Sequence, residues 1–160
     1  MTIKVGDRVP STTLHHMTDD GPAEISSDEL FGGKKVAIFG LPGAFTPTCS
    51  AKHLPGFIAA AERFNEKGVA TIGCVSVNDA FVMGAWGKEQ NAGDKVMMLA
   101  DGSVDFTRAI GLELDLTANG FGVRSQRYSM LVDDGVVTAL HVEEGGGFKV
   151  SDAETLLGDI

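Results

Sequence analysis

The apolar run Val36-Ala37-Ile38-Phe39-Gly40-Leu41 leads straight into Pro42-Gly43-Ala44-Phe45-Thr46-Pro47-Thr48-Cys49, and an amphipathic segment follows. An unbroken apolar run of this length reads as a central strand covered on both faces. Residues 50–67 carry apolar side chains at 54, 57, 58, 61 and 64, a helical period, and Gly68 supplies the stop. A cysteine therefore stands where a buried strand gives way to a helix. The start of a helix presents free backbone N–H groups and the positive end of the dipole, and both favour thiolate over thiol. Pro42 and Pro47 stiffen the loop and bring no N–H of their own.

The rest of the chain supplies partners for that strand. Residues 12–15 and 23–25 read as an N-terminal hairpin turning at Asp20-Gly21, followed by a capped helical turn at Ser26-Ser27-Asp28-Glu29-Leu30. A second buried strand is expected over 70–77, then a helix capped by Asn78 or Asp79 and running to about Gln90. Residues 97–100 form a third strand and 104–110 a short helix. Residues 128–132 and 136–142 make a hairpin around Asp133-Asp134-Gly135, and 145–147 a flexible loop. Ser151-Asp152-Ala153-Glu154 has the form of a capping box for the last helix. The order βαβαβα then ββα fits a thioredoxin-like α/β sandwich with a central mixed sheet and an N-terminal β-hairpin extension, one domain over residues 1–160.

Composition narrows the classes. A net charge of -9 argues against nucleic acid or an anionic membrane as partner. No apolar run approaches the ~20 residues of a membrane span. The N-terminal MTIKVGDRVP lacks the character of a signal or transit peptide, so the expected location is the cytoplasm. Two cysteines make no secreted disulfide framework. There is no C-x-x-C, no Cys/His cluster at metal spacing and no Gly-rich phosphate loop, so no cofactor or metal is expected.

The spacing Pro42-x3-Thr46-x2-Cys49 resembles the active-site signature of the peroxiredoxins. The longer string PGAFTPTCSAKHLPGF, 42–57, is similar to the Prx5 or type II subfamily, as is CVSVNDAFVMGAW, 74–86. The likeness runs from KVGDRVP near the start to the last helix. It implies a peroxidase that reduces hydrogen peroxide and organic hydroperoxides through a sulfenic acid on Cys49. Pro42 would shield the sulfur, and Thr46 would accept a peroxide proton and donate to the sulfur. The family places an active-site arginine just before the strand that starts at Tyr128 in GVRSQRYSM, which points to Arg127, with Arg124 as the alternative. Peroxide attack needs a stabilised sulfur anion first and a stabilised departing oxygen second, and a guanidinium serves both.

His53 lies four residues after Cys49, and a Cys-His pair would suit a hydrolase. A base one turn down the same helix is poorly aimed at the sulfur, so a capping or packing role is expected. Cys74, inside the second buried strand, is either a core residue or a resolving thiol, a role that varies among type II relatives. Other Prx5 members carry a resolving cysteine near the C-terminus. The matching stretch here, Gly147-Phe148-Lys149-Val150-Ser151, has no thiol. The resemblance therefore implies an external reductant, glutaredoxin with glutathione or thioredoxin. It also implies a homodimer, with Phe45 and Phe81 at its interface; Trp86 is a third large apolar residue near these loop ends. The other reading of the same cysteine is a peroxide sensor or redox-regulated binding protein, which would react once and stay modified.

Overall fold

The computed structural model describes residues 2–160. Its first hairpin pairs β1 (Thr13–Thr18) with β2 (Gly21–Ser26). Gly21, at φ 107°, makes the turn that a side chain would oppose. Ser26 then caps α1 (Ser27–Phe31), with Glu29 completing a reciprocal capping box. The central strand β3 (Lys35–Leu41) runs parallel to β4 (Val69–Ser76) on one side and antiparallel to β8 (Tyr128–Asp133) on the other. With β5 (Met97–Ala100) and β9 (Val136–Val142) the seven strands lie in the order β2-β1-β5-β4-β3-β8-β9. This is the thioredoxin-like mixed sheet expected from the sequence, with the N-terminal hairpin attached at one edge.

Alternation along β3 divides the core. Ala37, Phe39 and Leu41 face one layer, with Cys49, Phe57, Phe64, Cys74 and Trp86. Val36 and Ile38 face the other, with Leu14, Phe31, Phe106 and Tyr128. Helices on both faces leave β3 almost fully buried, which is why its sequence is apolar without a polar beat. Asp79 caps α4 (Ala80–Glu89) by accepting from the Val82 N–H, and α5 (Asp105–Ala109) follows β5. No helix among the described residues is long and apolar enough to cross a membrane.

Three expectations need correction. The helix read over 50–67 is not continuous: helical backbone starts at Pro47, a π-turn spans Cys49–His53, and α2 (Leu54–Ala59) and α3 (Ala61–Glu66) meet at Ala60. Pro55 explains the π-turn. It has no N–H to give the Ala51 carbonyl and its ring crowds that carbonyl, so the helix widens and the Leu54 N–H reaches back to Cys49 O. A second hairpin, β6 (Glu113–Leu116) with β7 (Gly122–Ser125), was not expected at all. Finally, Ser151 does not cap the last helix. Asp152 caps α6 (Ala153–Leu157) through the Thr155 N–H, while the Ser151 hydroxyl donates to Glu143.

Candidate active site

The loop between β3 and the helix is held from both sides. The Thr46 hydroxyl donates to Gly43 O at 2.7 Å, and the Ala44 N–H donates to Asn78 Oδ1 at 3.0 Å. Asn78 Oδ1 also accepts from the Ser76 hydroxyl at 2.6 Å, which ties the loop to the end of β4. Between these anchors Phe45 adopts φ 64°, a left-handed conformation that costs a non-glycine residue about 1–2 kcal/mol. Gly43 leaves room for Arg124, since a Cβ there would stand 2.7 Å from its Nη1. Arg124 uses that room to donate from Nη1 to Pro42 O at 3.1 Å and from Nε to Phe121 O at 2.9 Å, fastening the β6–β7 hairpin to the loop.

Pro47 occupies the first helical position, where its missing N–H costs nothing. Cys49 follows in the first turn, fully buried, with its thiol free. Arg127 reaches it from just before β8. Antiparallel pairing of Gly40 with Tyr128 brings the last residues of β3 and the first of β8 to the same end of the sheet. The Arg127 Nη2 donates to Cys49 Sγ at 3.1 Å, and Nη1 donates to His53 Nδ1 at 2.9 Å. A cleft of about 390 Å³, lined by Pro42, Thr46, Leu116, Phe121, Arg124 and Arg127, opens onto this cluster.

The geometry thus brings Pro42, Thr46, Cys49 and Arg127 together and sets Arg124 against backbone carbonyls instead of the sulfur. Thr46 differs from expectation in one respect. Its proton goes to Gly43 O, so its oxygen is left as an acceptor on the cleft and makes no bond to Cys49. Cys74 lies mid-sheet on β4, paired with Phe39 and Met98 and fully buried. Burial, with Cys49 nearby, pushes its thiol well above the ordinary range. Trp86 is also fully buried, its Nε1 donating to the Ser50 hydroxyl, so it belongs to the core; Phe45 and Phe81 remain exposed. Among the described residues no group of His, Cys, Asp or Glu side chains is arranged to hold a metal ion.

Sequence reasoning placed His53 near the site but missed what it does there. Its Nε2–H donates to Ser151 O at 3.0 Å, which leaves Nδ1 as the acceptor that Arg127 needs. The ring is fully buried between Phe39 and Phe148. That burial, and then the Arg127 charge, lower its pKa from 6.5 to about 3. Both nitrogens are engaged and neither faces the sulfur, so His53 is no base for Cys49.

The same shift makes a stability prediction. A folded pKa below the unfolded one means that the unfolded chain takes up a proton the folded chain refuses. Stability should therefore be unaffected above about pH 6.5 and fall by ~1.4 kcal/mol per pH unit from there toward pH 3. Urea unfolding of wild type and His53→Gln at pH 7, 5.5 and 4 checks this. The variant should lose that part of the slope, and equal slopes would overturn the assignment.

Likeness to known proteins extends over nearly the whole chain. The Redoxin family model matches residues 4–157. A chloroplastic peroxiredoxin-2E-2 from Oryza sativa subsp. japonica is 52% identical over 161 residues, covering 98% of this chain and 72% of the relative. The crystal structure of reduced Prx3 from Vibrio vulnificus in complex with hydrogen peroxide superposes with a TM-score of 0.94 at 54% identity, covering 98% of both chains. Peroxiredoxin 5 from Alvinella pompejana gives a TM-score of 0.87 at 35% identity, covering 98% of this chain and 97% of that one. With its strand-to-helix cysteine, its full-length likeness to these proteins and their shared fold, the chain belongs to the peroxiredoxins, in the Prx5 or type II branch, and is a thiol-dependent peroxidase.

Proposed function

We propose that peroxide is reduced at Cys49 with Arg127 as its electrostatic partner, and that the oxidised sulfur is returned by an external thiol. The observation that carries this reading is the 3.1 Å contact to Cys49 Sγ from the guanidinium of Arg127, a residue that lines the cleft. A Cys49 thiolate attacks one peroxide oxygen: the S–O bond forms as the O–O bond breaks, and the departing oxygen leaves as hydroxide or alkoxide. Arg127 donates to the sulfur before attack and to the departing oxygen afterward. Thr46, with its proton held by Gly43, accepts the peroxide O–H and orients it. The leaving oxygen takes a proton from water to give water or an alcohol, and Cys49 becomes a sulfenic acid. Leu116 and Phe121 give the cleft an apolar wall, which suits alkyl hydroperoxides as well as hydrogen peroxide.

The sulfenic acid then condenses with a thiol and releases water, and a second thiol frees Cys49 by exchange. Two observations favour a diffusible donor over an internal thiol. The Cys74 thiol is buried within a central strand and held protonated, which makes it a poor nucleophile. The turn before α6 contains no cysteine. Glutathione with glutaredoxin, or thioredoxin, supplies the reducing equivalents in this reading. NADPH-coupled peroxide turnover with each donor system in turn tests it. Cys74→Ser should keep most of the wild-type turnover with the effective donor. After one equivalent of peroxide in the presence of glutathione, intact-mass spectrometry should find a Cys49–glutathione adduct. A quantitative Cys49–Cys74 disulfide in the wild type, with the variant stopping after one turnover, would assign resolution to Cys74.

A further inference from the structure

We propose that Glu143 is a positioning residue for the peroxide reaction, acting on Arg127 through Ser151 and His53. The inference rests on the reading of Arg127 given above. Glu143 follows β9 directly, and its backbone N–H donates to Arg127 O at 2.9 Å. Its side chain turns inward and is nearly buried. A single carboxylate oxygen, Oε2, accepts four hydrogen bonds: from the N–H groups of Lys149, Val150 and Ser151, each at 2.8 Å, and from the Ser151 hydroxyl at 2.7 Å. Three consecutive N–H groups converging on one anion form a backbone nest. Burial pushes the Glu143 carboxyl up, but the Ser151 hydroxyl and the three N–H groups outweigh it and hold the pKa at about 2, so the nest keeps its anion throughout the physiological range.

The nest has an output. The residue that closes it, Ser151, presents its carbonyl to His53 Nε2 at 3.0 Å, and that bond sets the tautomer which lets Nδ1 accept from Arg127. Phe148, just before the nest, lies against the His53 ring at 5.1 Å and under the Arg127 guanidinium at 5.9 Å. Without the carboxylate the three N–H groups converge on nothing, the turn relaxes, and both the carbonyl and the aromatic lid leave His53. Arg127 then loses the acceptor that fixes one of its two donor pairs. Its charge stays near the sulfur while its direction is no longer set, and peroxide reduction depends on that direction.

A purely structural role for Glu143 would slow nothing specifically and would add independently to loss of His53. A relay predicts otherwise. Single-turnover oxidation by hydrogen peroxide, followed by stopped flow, should be about tenfold slower in Glu143→Ala and at least as slow in His53→Ala. The double variant should fall within about twofold of His53→Ala alone, since the two act in series. Glu143→Gln keeps the shape and one acceptor and should recover part of the rate. It also serves as the test variant if Glu143→Ala fails to fold. A rate for Glu143→Ala or Glu143→Gln within twofold of wild type, or a double loss equal to the product of the singles, overturns the relay. Arg127→Lys run alongside separates the two failures: if it too reacts at the wild-type rate, the reading of the site is at fault and not the relay.

Discussion

Cys49→Ser is expected to abolish the reaction with hydrogen peroxide, whereas Cys74→Ser leaves it close to the wild-type rate. A serine hydroxyl at position 49 would need a base to become a nucleophile, and the surroundings hold none. Both His53 nitrogens are engaged, and Arg127 has only donors. The Thr46 hydroxyl donates to Gly43 O and, as a neutral alcohol, is too weakly basic to take a proton. Sulfur is the intrinsically stronger nucleophile, which oxygen at the same place cannot match. The loss should therefore be complete within detection, about four orders of magnitude or more. Trp86 supplies a convenient signal: it is the sole tryptophan, buried, and hydrogen-bonded to Ser50, the residue next to Cys49. Peroxide consumption measured in parallel covers the case where the optical signal is lost. Wild-type rates in Cys49→Ser, with loss in Cys74→Ser, would move the chemistry to the wrong cysteine for everything argued above.

The second large effect belongs to Arg127. Arg127→Lys should slow peroxide oxidation by about a hundredfold, and Arg124→Lys by less than tenfold. The guanidinium uses one nitrogen on His53 and another on the sulfur at the same time, and a lysine ammonium cannot reproduce that planar fork. Loss of one preorganised donor aimed at developing charge costs roughly two to three orders of magnitude in comparable sites. Arg124 donates to the Pro42 and Phe121 carbonyls, worth about 1 kcal/mol each, and lies over the Phe121 ring, so it affects the loop more than the reacting atoms. A reversed ranking would make Arg124 the reacting guanidinium, three residues earlier in GVRSQRYSM.

The parts legible from the sequence were those whose signal is local. The run Val36 to Leu41 declared a strand buried on both faces, and the Pro42–Thr46–Cys49 spacing placed the cysteine at the start of the helix after it, because strand, loop and helix are contiguous there. Arg127 needed the family likeness, since nothing nearby in the chain marks it. The β6–β7 hairpin escaped notice because each strand has only four residues and the alternation of Glu113, Leu114, Asp115 and Leu116 is too short to stand out. The π-turn left a trace in Pro55, although a helical period computed across 50–67 smooths over it. His53 and Glu143 were opaque for a different reason. What they do depends on Arg127 and on residues 149–151, and Ser151 has the pattern of a cap because its preference for Glu143 exists only after β9 and the last helix are in place.

The distance between the two halves of the site has a consequence for how the protein comes to exist. Cys49 and Arg127 are 78 residues apart, and β3 and β8 must pair before guanidinium meets sulfur. At about 5–20 residues per second, several seconds of synthesis separate the two. Throughout that interval the nascent cysteine has neither its cation nor its closed pocket and behaves as an ordinary thiol. With Arg127 as the reacting guanidinium, peroxide reactivity would be acquired only when the chain from Arg127 onward docks, and a truncated or half-folded copy would be spared the oxidation that the finished protein undergoes.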